Sequence, residues 1–183
     1  KDFSPQLTGL IADRDVLCNH IHLPVQHGSD RILQAMNRNY TRKHYLHIVN
    51  TIKKTIPDAS LSTDILIGFP GEEEFDFEDT INLVEEMRFY DAFTYYYNPR
   101  EGTAAFSMNS EVPEAIKLER LDRIIQLQRK ISAERRMERI EETVPVLIEG
   151  VSKYNDKELL GRTERDEMVV FPADKSKIGS FLS

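Results

Sequence analysis

Apolar positions along the chain switch repeatedly between two rhythms. Ile21 to Val25 form a short apolar run, and Gly28, Ser29 and Asp30 then turn the chain into a helix over Arg31 to Met36. Thr41 opens a second helix, in which Tyr45, Ile48, Val49, Ile52 and Ile56 recur at three-four spacing until Pro57-Asp58 closes it. Leu61 to Ile67 reads as a buried strand, Gly68-Phe69-Pro70-Gly71 as a loop, and Phe77, Ile81, Val84 and Met87 as the apolar face of the next helix. Ala92 to Tyr97 is a further strand, rich in aromatics and bounded by Asn98-Pro99. Strands separated by helices of this length imply βαβ units and a parallel sheet, an α/β fold.

Beyond Pro113 the pattern changes. Residues Glu114 to Glu142 contain no glycine or proline and predict one long charged helix, with Leu118, Leu121, Ile125 and Met137 among its apolar positions. Its arginines, including Arg120, Arg123 and Arg139, are interleaved with acids, so a solvated face is the preferred reading over a phosphate-binding one. After Thr143 short apolar runs alternate with polar turns (VPVLIEGVSK, LLGRTERDE, MVVFPA), the texture of a small barrel or sheet. The expected division is an α/β part over residues 1–142, including the helix 114–142, and a partial β domain over 143–183.

Composition narrows the picture. With 183 residues, 40% hydrophobic and 30% charged, the chain is long enough for a real core and a small second domain. A net charge of -7 argues against sequence-independent nucleic-acid binding through the whole surface. The single cysteine, Cys18, excludes an internal disulfide and any cysteine-ligated cluster supplied by this chain alone; its neighbours Leu17 and Asn19 predict a buried or half-buried thiol. No apolar run approaches the ~18 residues of a membrane span, and a soluble, cytoplasmic protein with no membrane partner is expected. The opening KDFSPQL and the closing IGSFLS read as cuts, so a fragment of a longer protein is expected.

The candidate chemistry lies at strand ends. In HIHLPVQHGSD, His20 and His22 share one face of a strand, but a metal there needs further ligands, and none stands at a recognisable spacing. His22 is expected to hydrogen-bond locally and His27 to sit in the turn. Ligands of parallel α/β folds gather where strands give way to loops, and Gln26, Asp64 and Asn98 fall at such places. A glutamine amide and an aspartate carboxylate at neighbouring strand ends suit two ribose hydroxyls. Arg38, twelve residues after Gln26, suits a carboxylate through its two-pronged guanidinium. The glycines of Ser62 to Glu72 let the backbone approach a flat or anionic ligand, although an ordinary βα turn has the same look. The acid run from Glu72 to Asp79 reads as charge matched to a helix N-terminus.

Taken in order, HLPVQHGSDRILQAMNR, LSTDILIGFPGE and FTYYYNPREGTAA resemble the radical S-adenosylmethionine methylthiotransferases, most closely the MiaB-type branch that acts on tRNA. The likeness runs through the long helix into a GRT-containing segment similar to the start of a TRAM domain, a small RNA-binding β-barrel. It implies the second half of a radical SAM partial (β/α) barrel followed by a TRAM-like start. It also implies a parent enzyme that adds a methylthio group to carbon 2 of isopentenyladenosine beside the anticodon. The cofactors implied are S-adenosyl-L-methionine and two 4Fe-4S clusters, whose cysteines lie outside this chain, so the fragment alone is expected to be inactive. The partners implied are tRNA and a reductant protein such as flavodoxin or ferredoxin. Carried over by position, Gln26 and Asp64 bind the ribose hydroxyls, Arg38 the carboxylate, Leu66, Gly68, Phe69, Pro70 and Gly71 the adenine, and Ser29 matches a serine of the turn. His27 departs from the branch pattern, which has serine there, and is common in the branch that modifies a ribosomal-protein aspartate. That substrate, threonylcarbamoyladenosine in tRNA, and a non-enzymatic RNA- or protein-binding module are the alternatives.

Overall fold

The computed structural model describes residues 3–108 and 110–182. Ser4 starts helix α1 (Pro5–Ala12) by accepting the Leu7 N–H at 3.2 Å. Strands β1 (His20–His22), β2 (Ser60–Ile67) and β3 (Asp91–Tyr96) then form an all-parallel sheet in that spatial order. Helices α2 (Asp30–Ala35) and α3 (Arg42–Thr55) connect β1 to β2, and α4 (Glu74–Met87) connects β2 to β3. The alternation expected from the sequence is present, because each strand needs a helix to return the chain to the same edge.

The two faces of this sheet differ. Ile21, Leu61, Ile65 and Ile67 point to one side and share a core with Val49 and Ile52 of α3, Phe77 and Val84 of α4, and Ile124 and Ile131 of α5 (Glu114–Met137). The opposite face carries His22, Asp64, Leu66, Phe93 and Tyr95; the register sets Asp64 beside Phe93 and Leu66 beside Tyr95. Phe93 is 51% and Tyr95 55% exposed. In a barrel such a face looks into the lumen, where polar and aromatic groups meet a ligand instead of a core.

Helix α5 corrects the sequence reading twice. It ends at Met137, and turns follow, with Glu141 in the left-handed region (φ 77°). Its buried stripe is Lys117, Arg120, Ile124, Gln128 and Ile131, whereas Leu118 and Met137 of the apolar set are exposed. Acidic side chains outside α5 give these cations partners, which is what lets them be buried. Cys18 is also exposed, against the expectation of a covered thiol.

The remaining strands, β4 (Val146–Val151), β5 (Glu158–Thr163), β6 (Met168–Pro172) and β7 (Phe181–Leu182), make an antiparallel sheet ordered β6-β5-β4-β7. Its β5–β6 turn rests on the N-terminal edge of the parallel sheet: Tyr90 donates to Glu167 at 2.5 Å, and Ser60 to the Arg165 carbonyl at 3.2 Å. Among the described residues no helix is long and apolar enough to cross a membrane.

Candidate cofactor site at the strand ends

Between β1 and the loop after it, pairing with β2 is interrupted and then restored. Pro24 has no N–H to give, and the buried Thr63 hydroxyl fills the gap, donating to the Leu23 carbonyl at 2.9 Å and accepting the Val25 N–H at 3.0 Å. Gln26 rejoins the ladder: its N–H donates to Asp64 O at 2.9 Å and its carbonyl accepts from Leu66 N at 2.8 Å. The His27 N–H folds back to Val25 O at 2.9 Å around Gln26, whose φ is 68°. This is a γ-turn of the rare positive-φ kind, and a side chain held there carries about 1–3 kcal/mol of strain.

That side chain meets Arg38. The Arg38 guanidinium donates to Gln26 Oε1 at 3.2 Å, and among the described residues it pairs with no carboxylate. Its approach is set by the end of α2: Asn37 adopts the left-handed conformation (φ 57°) and the Arg38 N–H closes on Leu33 O at 2.8 Å, so the chain turns back. Asp64 is half-buried next to Gln26, with His22 Nε2 3.5 Å from its carboxylate. His22 Nδ1 lies 2.9 Å from Ser62 Oγ, and His20 Nδ1 lies 2.8 Å from Ser60 Oγ. Burial lowers the His20 pKa, favouring its neutral ring.

The loop after β2 closes one side. Gly68 and Gly71 have φ of 65° and 82°. Phe69 is buried edge-on against Tyr97 at 5.2 Å, in a small cluster with Ile32, to which Leu66 adds its half-buried side chain. Pro70 is buried as well. Leu66 also lines a cleft with Tyr95, Tyr97, Asn98 and Arg100. The structure therefore brings Gln26, Arg38, Asp64 and Leu66 together, with Gly68 to Gly71 beside them. Ser29 is placed differently: it is 3% exposed and its hydroxyl donates to Asp76 Oδ1 at 2.6 Å, bracing the turn against α4. Gly28 allows that contact, since a Cβ there would lie 2.4 Å from Asp79 O.

The sequence model of the radical SAM superfamily matches residues 6–84, the segment that holds Gln26, Arg38, Asp64 and the 68–71 loop. Over these residues the chain is similar to the radical SAM superfamily. A TRAM domain model matches residues 138–183, which contain all four antiparallel strands. Two relatives named tRNA-2-methylthio-N(6)-dimethylallyladenosine synthase are similar along the chain. The one from Moorella thermoacetica is 48% identical over 100% of this chain and 41% of its own length; the one from Treponema denticola is 49% identical over 99% and 41%. The chain thus spans about two-fifths of the length of the curated relatives it matches. Among solved structures, the radical SAM enzyme coproporphyrinogen III oxidase (HemN) from Escherichia coli superposes with a TM-score of 0.60 at 12% identity, covering 88% of this chain and 42% of that one. This likeness establishes the fold: part of a radical SAM partial barrel.

The radical SAM half also contains groups that the sequence reading passed over. Glu72 and Asp76, taken for solvated charge at a helix start, are buried: Glu72 is 5% exposed and Asp76 0%. Burial alone would raise the Asp76 pKa, but hydrogen bonds from Arg31, Ser29 and the Glu73 N–H outweigh it and hold the carboxyl below its usual range. Arg123 and then Arg120 do the same for Glu74 despite its partial desolvation. For Glu72 the signal lies on α5, where the spacing 117, 120, 124, 128, 131 puts Arg120 on the buried stripe; Asp76 is held instead by Arg31 and Ser29.

Proposed function

We propose that this chain is the second half of the barrel and the TRAM portion of a radical SAM methylthiotransferase that adds a methylthio group to carbon 2 of isopentenyladenosine in tRNA. The α/β part runs to residue 142 and the TRAM-like part from 143. The observation that carries the cofactor assignment is the strained γ-turn at Gln26, which holds its amide against a guanidinium that pairs with no carboxylate among the described residues, at the carboxyl end of a parallel sheet.

S-adenosyl-L-methionine suits these groups. The Arg38 fork retains N–H donors for the carboxylate after its bond to Gln26. The Gln26 amide and the Asp64 carboxylate offer a mixed donor and an acceptor pair for two vicinal hydroxyls. Leu66 with the backbone of Gly68 to Gly71 offers an apolar edge and peptide groups for adenine. When bound, S-adenosyl-L-methionine supplies the methyl group and the radical chemistry. This chain's residues bind and orient it: Arg38 fixes the charged end, Gln26 and Asp64 fix the ribose, and the aromatic face of Phe93 and Tyr95 keeps the adjoining space apolar. The residues here do not fit a 4Fe-4S cluster, since the one cysteine is exposed, and no group of three metal-ligating side chains forms among the described residues. In this reading the clusters are held by the rest of the parent, a reductant such as flavodoxin or ferredoxin serves them, and the enzyme works on tRNA in the cytoplasm.

The names of the relatives support the substrate assignment. Mass spectrometry of tRNA from cells lacking the parent gene tests it. The expected result is loss of the 2-methylthio product with accumulation of isopentenyladenosine; an undiminished 2-methylthio product overturns it.

A further inference from the structure

Behind the candidate site lies a buried carboxylate that touches two of the loops forming it, the 26–29 turn and the 68–71 loop. The Ser29 N–H donates to His27 Nδ1 at 3.0 Å, and a backbone N–H only donates, so the ring hydrogen resides on Nε2. That hydrogen points to Glu72 Oε2 at 3.2 Å, which also accepts the Phe69 N–H at 3.3 Å. The other oxygen, Oε1, accepts from Arg120 Nη1 at 2.7 Å. The His27 and Glu72 side chains are 0% exposed and that of Arg120 is 5%. One turn earlier on α5, Lys117 presses on the same loop: a Cβ on Gly68 would stand 2.5 Å from Lys117 Cγ.

Glu72 therefore grips the residue after Gln26, the residue after Gly68 and the long helix at once. A buried ion pair is a weak source of net stability, since apolar side chains of like volume do as well; what it adds is a fixed geometry. The guanidinium fork has few orientations that satisfy both Glu72 and Glu74, which it meets at 2.9 Å. Glu72 thus links the position of α5 to the 68–71 loop and to the 26–29 turn that contains Gln26.

We propose that Glu72 and Arg120 are positioning residues for S-adenosyl-L-methionine, coupling the 26–29 turn and the 68–71 loop to helix α5. This rests on the reading of those two segments as the cofactor site. Neither residue is assigned contact with the cofactor; each acts through the backbone it holds.

The test measures S-adenosyl-L-methionine affinity by equilibrium dialysis on the full-length, cluster-reconstituted parent, with thermal unfolding alongside. Arg120→Met and Glu72→Gln are expected to raise Kd tenfold or more, and Arg120→Lys, which keeps charge but loses the fork, about threefold to tenfold. Ile124→Ala removes a fully buried side chain from the same helix without touching either loop, so it lowers stability with Kd within twofold of wild type. Where Arg120→Met fails to fold, Arg120→Lys carries the test. Equal Kd values for Arg120→Lys, Glu72→Gln and Ile124→Ala overturn the proposal and leave a structural role only. Gln26→Ala and Arg38→Ala separate the two levels: if these also bind normally, the cofactor reading itself fails; if they bind weakly while the Glu72 and Arg120 variants bind normally, only the positioning role fails.

Discussion

The Tyr90 hydroxyl donates to Glu167 Oε1 at 2.5 Å, tying the start of β3 to the turn between β5 and β6. Thr163 and Arg139 donate to the other oxygen of the same carboxylate. Burial raises the Tyr90 pKa and the bond to Glu167 raises it further, so the phenol stays a donor. The radical SAM part and the TRAM part are thus joined by a hydrogen-bonded clamp at the edge of the sheet away from the Gln26 turn. A double-mutant cycle of Tyr90→Phe and Glu167→Gln, followed by denaturant unfolding, is expected to show a coupling of about 1–2 kcal/mol. Additive effects would mean that the contact does not hold the two parts together.

Acid should weaken the brace at Asp76. Its pKa is lowered in the folded state, so its contribution is present above the unfolded value of about 3.9 and is lost as pH falls through the lower folded value. Asp76→Asn should be less stable than wild type at neutral pH, and the two stability curves should converge on going from about pH 5 toward pH 2. Parallel curves would contradict the assignment of this carboxylate as the titrating group.

Relief of the strain at Gln26 should separate stability from binding. Gln26→Gly permits φ of 68° without a side-chain clash, and unfolding is expected to show a gain of up to about 1 kcal/mol. The same variant loses the amide that meets Arg38, and S-adenosyl-L-methionine affinity of the full-length parent falls. A destabilised variant with normal affinity would show that this turn is ordinary structure.

Close packing at the neighbouring turn gives a harder constraint. A Cβ on Gly28 would stand 2.4 Å from Asp79 O and 2.6 Å from Thr80 Cα, all backbone, so Gly28→Ala must push the turn off α4. A loss of about 1–3 kcal/mol in stability is expected from such overpacking. A neutral result by thermal unfolding would mean that the turn shifts freely.

Much of this was legible in the chain because it depends on local pattern. Short apolar runs and three-four spacing located the three parallel strands and their helices, although β1 covers His20–His22 and not Ile21 to Val25. Strand ends marked Gln26, Asp64 and Asn98, with Arg38 a helix away, and the structure brings Gln26, Asp64 and Arg38 together. The γ-turn was not legible, since it depends on how Pro24 and Thr63 interrupt a ladder with a strand 40 residues away. Glu72 and Glu73 look alike in sequence; only the arrival of Arg120, 48 positions later, buries the first and leaves the second exposed. The same long-range pairing turned the stripe of α5 away from Leu118 and Met137. Ser29 was singled out for its place in a turn, yet its hydroxyl is used by Asp76, which no local rule indicates.

Calorimetric titration of the full-length, cluster-reconstituted parent measures whether Arg38 binds the carboxylate of S-adenosyl-L-methionine beside the Gln26 turn. A charge-assisted hydrogen bond of about 1.5–3 kcal/mol corresponds to a rise in Kd of roughly ten- to a hundredfold for Arg38→Ala, with little change in unfolding because the side chain is exposed. A Kd for Arg38→Ala equal to that of wild type would contradict the account.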